Sequence, residues 1–272
     1  MGHAMLTAFT RKPSPHLHRC HLTHLARQPI DLRKARAQHR DYEFLLGGLQ
    51  VQVYRLDPAP WLPDGVFVQD TALVCDELAV TAPLVLPSRQ AEAESTLMAL
   101  AMFRDVALFT PPATFDGGDV LIAEREVYVG ITGRTNRAGF EQIRQLRERD
   151  LGEYRVRPVR VEGCVHLKSG CSYIGREVMV INRRWVDAKA FPRFQCIDVP
   201  ADEPFGANTL TVHDTVIVSA SCPRTAEAIE RAGFSVLTID ISEFEKAEGG
   251  VSCLSLLFNV VPALIAERFA VE

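Results

Sequence analysis

Five times along the chain a polar or glycine-containing cluster adjoins a short apolar run, and this loose repeat is the strongest constraint on the fold. The segments are LPDGVFVQDTALV (62–74), FDGGDVLIAEREVYVG (115–130), CVHLKSGCSYIGREVMVIN (164–182), FGANTLTVHDTVIVSA (205–220) and GGVSCLSLLF (249–258). Their starts lie roughly forty to fifty residues apart, the period of propeller-type arrays. The runs are rich in Val, Ile and Leu and have the length of buried strands. VLIAEREVYVG reads as two strands joined by a tight polar turn, and YIGREVMVIN repeats that design. Most of the segments therefore read as strand–turn–strand.

Helical patterns lie between the strand pairs. Ser88 to Arg104 reads as a helix opened by a serine cap; Thr135 to Arg149, Arg224 to Ala232 and Asp31 to Leu46 carry similar spacings. Each unit is thus strands plus a helix, an α/β repeat set around a centre. If the apolar strands converge, their polar ends line a central pore or pit, and a site is expected there. No low-complexity stretch or long linker divides the sequence. Residues 1–4 read as a leftover of cloning before a native Met5, so residues 5–272 are expected to form one domain.

Composition narrows the function. A formal charge of −4 and a pI near 6.1 argue against nucleic acid, whose phosphates need a basic face. No window approaches the roughly twenty apolar residues of a membrane span, so no membrane is expected. The seven cysteines are Cys20, Cys75, Cys164, Cys171, Cys196, Cys222 and Cys253. Their scatter, odd number and lack of a C-x-x-C pair fit a reducing, cytoplasmic setting better than a disulfide scaffold. Most free cysteines are small buried hydrophobes.

The polar ends of the repeats carry chemistry. Asp64 and Asp70 flank the first run, Asp116 and Asp119 bracket Gly117-Gly118, His166 opens the third, Asn208 the fourth, and Cys253 the fifth. Carboxylates, one histidine and one cysteine, each at the same edge of a separate repeat, describe a site for a cationic substrate with a thiol nucleophile. Paired carboxylates can hold a planar cation by bidentate, charge-assisted bonds, a thiolate is a strong nucleophile, and a histidine can move protons to and from the reacting groups.

LPDGVFVQD, TFDGGDVL, HLKSG, GRTNRAG and GGVSCLSL, in this order, resemble the dimethylarginine dimethylaminohydrolases of the guanidino-modifying superfamily, over about Ala8 to Phe258. The resemblance implies an α/β five-bladed propeller, the pentein fold. It implies Cys253 as nucleophile, His166 as acid/base, and Asp116 and Asp70 as the carboxylates that hold the guanidinium. Asp64 would stand near the substrate's amino group, and Arg89 and Arg134 would grip its α-carboxylate. The implied reaction forms a covalent thiouronium and releases citrulline and an alkylamine, with no cofactor and no metal. The expected partner is a small-molecule guanidine, and the chain is expected to be a monomer or homodimer.

Two departures stand out. Position 69 is Gln where the family commonly has Glu, removing a charge expected at the site edge. HLHRCHLTH (16–24) stands where the family carries a mobile lid. Its His16, His18, Cys20, His21 and His24 are possible metal ligands, although their spacing fits no standard zinc pattern, and a lid or surface segment is the preferred reading. Alternatives are hydrolysis of another guanidine, amidino transfer to an amine, and a catalytically silent binding protein on the same fold. Dinucleotide, P-loop, zincin and nucleophile-elbow motifs are absent.

Overall fold

The computed structural model describes residues 5–75, 78–149 and 154–260. Residues 1–4, read above as a cloning leftover, and the end of the expected domain lie outside them. The elements in chain order are β1 (Met5–Thr10), α1 (Leu32–Gly48), β2 (Gln52–Arg55), β3 (Leu73–Cys75), β4 (Leu78–Thr81), α2 (Gln90–Leu100), β5 (Asp105–Leu108), β6 (Val120–Ala123), β7 (Glu126–Ile131), α3 (Arg137–Arg149), β8 (Arg155–Arg160), α4 (Leu167–Gly170), β9 (Cys171–Gly175), β10 (Val178–Ile181), β11 (Gln195–Asp198), β12 (Leu210–Val212), β13 (Thr215–Ser219), α5 (Pro223–Arg231), β14 (Ser235–Ile239), α6 (Ser242–Glu245) and β15 (Leu256–Val260).

The strands form five three-stranded sheets, ordered β3-β4-β5, β6-β7-β8, β9-β10-β11, β12-β13-β14 and β15-β1-β2. In each, the middle strand runs antiparallel to the first and parallel to the third. A parallel neighbour needs a crossover, usually a helix. α1, α2, α3 and α5 fill that role in four sheets. In the β10–β11 crossover only the single turn Ala188–Ala190 is helical. The first strands β3, β6, β9, β12 and β15 together line a central cavity of about 240 Å³, so the apolar runs do converge on an axis. Buried side chains pack as separate clusters between neighbouring sheets and helices.

Sequence and structure differ at several edges. Ser88 does not cap α2: Pro87 opens a 3₁₀ turn (Pro87–Arg89), and the helix follows without a side-chain cap. A proline's fixed φ already suits a first helical position. α3 begins at Arg137 rather than Thr135, because Asn136 Oδ1 accepts from Gly139 N at 2.8 Å while Thr135 donates to Asp119 instead. Asp31 does cap α1, accepting from Arg33 and Lys34 N–H groups. VFVQ, read as an apolar run of strand length, ends in a turn, and the run opened by Cys253 begins in one: Val68–Thr71 and Val251–Leu254 are 3₁₀. A buried apolar run satisfies either conformation, and periodicity alone does not separate them.

Candidate active site

Each inner strand is preceded by one helical turn: Val68–Thr71, Gly117–Asp119, α4, Pro204–Ala207 and Val251–Leu254. These five turns carry or border Asp70, Asp116, His166, Asn208 and Cys253, which is why one residue from each repeat reaches the axis. The turns pack closely. A Cβ on Gly117 would lie 2.2 Å from the Gln69 carbonyl, and one on Gly118 would lie 2.7 Å from His166 Nδ1 and 2.8 Å from Asp70 Oδ1. Only glycine admits that approach.

His166, Asp70 and Asp116 are all nearly inaccessible. Asp116 Oδ2 lies 3.0 Å from His166 Nε2, and Asp70 Oδ1 lies 3.5 Å from His166 Nδ1. Asp70 Oδ2 accepts from Arg89 Nη1 at 3.0 Å, and Glu92 Oε2 accepts from Arg89 Nε and Nη2 at 3.0 and 2.9 Å. Two buried acceptors, Asp70 Oδ1 and Asp116 Oδ1, have no hydrogen-bond partner. Burial drags the His166 imidazole downward, but Asp70, the hydrogen bond to Asp116 and the charge of Asp119 outweigh it, holding the group up at about 9. Asp116 is itself held below the usual carboxylate range: burial opposes its charge, and the His166 contact overcomes burial.

Cys253 is buried, and its Sγ accepts from Gly250 N at 3.3 Å, with Asn208 Nδ2 at 3.9 Å. Burial, with the negative charge of Asp70, pushes its thiol up to about 11 despite the Gly250 N–H and the nearby Lys168. The thiolate is therefore disfavoured until a positive charge enters beside it.

Cys253, His166, Asp70, Asp64, Arg89 and Arg134 line one narrow cavity of about 20 Å³, together with His21 and Glu248. Asp116 stands behind His166. The sequence-expected site residues are thus gathered at one end of the axis. Asp64 accepts from His21 N at 3.0 Å, and Arg134 Nη2 lies 3.1 Å from His21 Nδ1. Three of the five Arg89 N–H groups are already engaged by Asp70 and Glu92, so it holds Asp70 in place and keeps two donors for a ligand.

Gln69 does not stand at this edge. Its side chain lines the central cavity on the other side of the turns and accepts from Ser252 Oγ at 3.2 Å. The histidine-rich segment lies across the mouth: Leu17 and Cys20 are buried, while Glu248 accepts from the backbone N–H groups of Thr23, His24 and Leu25. Among the described residues this segment forms no metal-ligand cluster. The group with such spacing is Asp70, Asp116 and His166, whose ligand atoms lie within 4.8 Å of one another. That geometry serves a cation of either kind, organic or metallic.

Sequence reasoning missed Glu92, Glu248 and the supporting role of Asp119. Asp119 accepts from Thr132, Thr135 and the Leu167 N–H, tying the turn that carries His166 to the Gly117–Asp119 turn. The i,i+3 spacing of Arg89 and Glu92 on a helix start was the available signal for Glu92. Glu248 has none beyond its place before Gly249-Gly250.

No family model matches the chain. It is 36% identical over 252 residues to the N(G),N(G)-dimethylarginine dimethylaminohydrolase of Streptomyces coelicolor, covering 92% of this chain and 95% of that one. To the Pseudomonas aeruginosa protein of the same name it is 34% identical over 230 residues, covering 84% and 90%. The chain belongs to the dimethylarginine dimethylaminohydrolase family. A Pseudomonas aeruginosa structure of the family, a Cys-to-Ser mutant complexed with citrulline, superposes with a TM-score of 0.88 at 32% identity, covering 93% of this chain and all of that one. A second family structure, an adduct with S-methyl-L-thiocitrulline, gives 0.86 at 31% identity, covering 93% and 99%. The N-terminal domain of a cyanobacterial arginine dihydrolase gives 0.82 at 20% identity, covering 93% and 97%, and shares the fold. The five sheets around an axis are the pentein fold.

Proposed function

We propose that this chain hydrolyses the guanidinium C–N bond of N-methylated arginine, or a closely related substituted arginine, to citrulline and an alkylamine. The observation that carries the reading is the gathering of Cys253, His166 and Asp70 in one pit, with Asp116 against His166 and with Asp70 Oδ1 and Asp116 Oδ1 buried without a hydrogen bond. Buried acceptors without a hydrogen bond are costly, and a planar cation with several N–H donors seated beside Asp70 and His166 brings donors that the empty pit lacks. Family membership supports the same chemistry, since relatives bear the dimethylarginine dimethylaminohydrolase name and bind citrulline in a solved structure.

In the proposed course, the entering cation stabilises the Cys253 thiolate, and the thiol proton leaves to solvent. Sγ attacks the guanidinium carbon. Imidazolium His166, held protonated by Asp116 and Asp70 at neutral pH, gives its proton to the departing amine as the C–N bond breaks, leaving an S-linked thiouronium. Neutral His166 then takes a proton from water, whose oxygen attacks the same carbon; the C–S bond breaks and citrulline is released. Asp64, Arg89 and Arg134 would receive the amino acid end. A cavity of about 20 Å³ does not admit an arginine side chain, so entry needs the segment across the mouth to lift.

No helix among the described residues is long and apolar enough to cross a membrane. The seven cysteines are all free, which supports a cytoplasmic setting. Residues 5–272 are proposed to act as one domain, as a monomer or homodimer, which light scattering on eluted protein distinguishes. The function is tested with a panel of arginine, methylated arginines and other guanidines, scored for citrulline or the matching urea, with the released amine identified by mass spectrometry. Dimethylamine or methylamine with citrulline is expected. Release of ammonia from arginine alone would refute the substrate class, and product only in the presence of an acceptor amine would indicate transfer instead.

A further inference from the structure

A cavity of about 520 Å³ lies apart from the catalytic pit. It lies between one face of α1 and two proline-bearing segments, the chain after β1 and the chain after β2. Its volume falls within the range of small-molecule sites. α1 contributes Arg36, His39, Arg40 and Glu43, whose i, i+3, i+4, i+7 spacing puts them on one helical stripe. Pro13, Pro15, Pro58 and Pro60 make apolar walls, pinned together where Ser14 Oγ donates to the Pro60 carbonyl at 2.6 Å.

The charges are one-sided. Lys12, Arg36, Arg40 and Arg55 face the cleft against a single carboxylate, Glu43, on a chain whose formal charge is −4. Glu43 is already saturated: it accepts from Thr10 Oγ1 at 2.7 Å and from Arg55 Nε and Nη2 at 2.7–2.9 Å. Lys12, Arg36 and Arg40 are exposed and have no hydrogen-bond or ion-pair partner among the described residues. Below them, His39 is 2% exposed, and its Nε2 has no hydrogen-bond partner. Its Nδ1 lies 3.7 Å from Glu43 Oε1. An orphaned buried donor or acceptor is costly without a partner. None of these residues belongs to the catalytic pit.

We propose that this cleft binds a small phosphomonoester carrying an apolar ring, with the phosphate among Lys12, Arg36, Arg40 and the free Nη1 of Arg55, His39 Nε2 at its floor, and the ring against the prolines. A tetrahedral dianion accepts from several directions at once, which matches cations arriving from three separate segments, and guanidinium forks suit phosphate oxygens. A carboxylate would leave part of that donor set unused. Burial holds the His39 imidazole neutral, down at about 4 in spite of Glu43, so in the empty cleft it adds no charge; a dianion at Nε2 favours the imidazolium, whose Nδ1–H faces Glu43 and whose Nε2–H donates to the anion.

Phenyl phosphate is the probe, titrated calorimetrically and by NMR on histidine and α1 amide resonances, with inorganic phosphate and phenol as controls. Saturable binding by phenyl phosphate is expected, weaker binding by inorganic phosphate, and none by phenol. The shifts should fall on His39, assigned through His39→Gln, and not on His166. The double variant Arg36→Ala, Arg40→Ala should weaken binding by roughly tenfold or more, since charge-assisted contacts are lost, and should keep its guanidine hydrolysis, which shows that it is folded. Absence of saturable binding, equal affinity in the double variant, or shifts centred on His166 would each overturn the proposal. Inorganic phosphate binding as tightly as phenyl phosphate would overturn the role given to the proline walls.

Discussion

Asp116 and His166 share one short contact, and most of the chemistry proposed here depends on its electrostatics. The imidazole is raised above its ordinary value, so its stabilising contribution is whole below pH 6.5 and is lost as pH rises through about 9. Asp116→Asn keeps the shape and removes the charge. The His166 titration, followed by NMR, should then move down, and hydrolysis should fall by about 2–3 kcal/mol of transition-state stabilisation, roughly two orders of magnitude. A variant with wild-type turnover and an unmoved titration would remove Asp116 from the site. Cys253 gives a second test. With its thiol at about 11, a neutral alkylating agent should react slowly near pH 7 and faster as pH climbs. A small cationic amidine electrophile carries the missing positive charge between Asp70 and Asp116. It should label Cys253 ahead of the other six cysteines, with protection by arginine analogues. Indiscriminate labelling, mapped by peptide mass spectrometry, would count against Cys253 as the nucleophile.

At the level of elements, the inner strands and the middle strands of three blades were legible because their side chains are buried and apolar, as in VLIA (120–123) and VMVI (178–181), while β1 and β4 fell outside the repeat segments. The third strands were not. QVYR, DVAL, RVRPVR, QCID and SVLTI are largely exposed on the outside of the ring, so most of them lack a continuous apolar run, and VAL (106–108) is too short to stand out. Asp70, Asp116, His166 and Cys253 were legible because each stands in or beside the turn before an inner strand, whereas Arg89 and Arg134 stand before helices and came from the family resemblance alone. Glu92 and Glu248 were hidden because their meaning lies in partners distant in sequence or in backbone groups. Glu248 in particular holds three consecutive N–H groups of the segment across the pit. Charge-assisted bonds of this kind are worth more than neutral ones, so Glu248→Gln should loosen the segment while leaving Cys253, His166 and Asp70 in place. Labelling of Cys253 by the cationic amidine should accelerate, by roughly fivefold if about 1 kcal/mol of closure is lost. An unchanged labelling rate would mean that Glu248 does not hold the mouth shut.

The whole ring is closed by its two ends. β1 pairs antiparallel with β15, from Met5↔Val260 to Phe9↔Leu256, and parallel with β2, so one blade of the five is assembled from opposite ends of the chain. That pairing was invisible to the repeat, since β1 stands alone before the first unit. It also ties global closure to catalysis, because Cys253 sits in the turn that leads into β15, and Tyr42 of α1 donates to the Val251 carbonyl at 2.9 Å. Phe9 is the side chain at the seam. It is 1% exposed and meets Phe258 at 4.9 Å, Phe103 at 5.6 Å and Tyr54 at 6.4 Å between ring centroids, all edge-on. Phe9→Ala removes the filling of that seam and should cost about 3–5 kcal/mol of folding stability. Because the turn that holds Cys253, the proposed nucleophile, depends on the same blade, hydrolysis and far-UV ellipticity should disappear together in urea, at a midpoint below that of the parent. A loss under about 1 kcal/mol would show that the seam repacks without Phe9. Loss of hydrolysis well before ellipticity in Phe9→Ala would show that the closing blade opens on its own, without unfolding the other four.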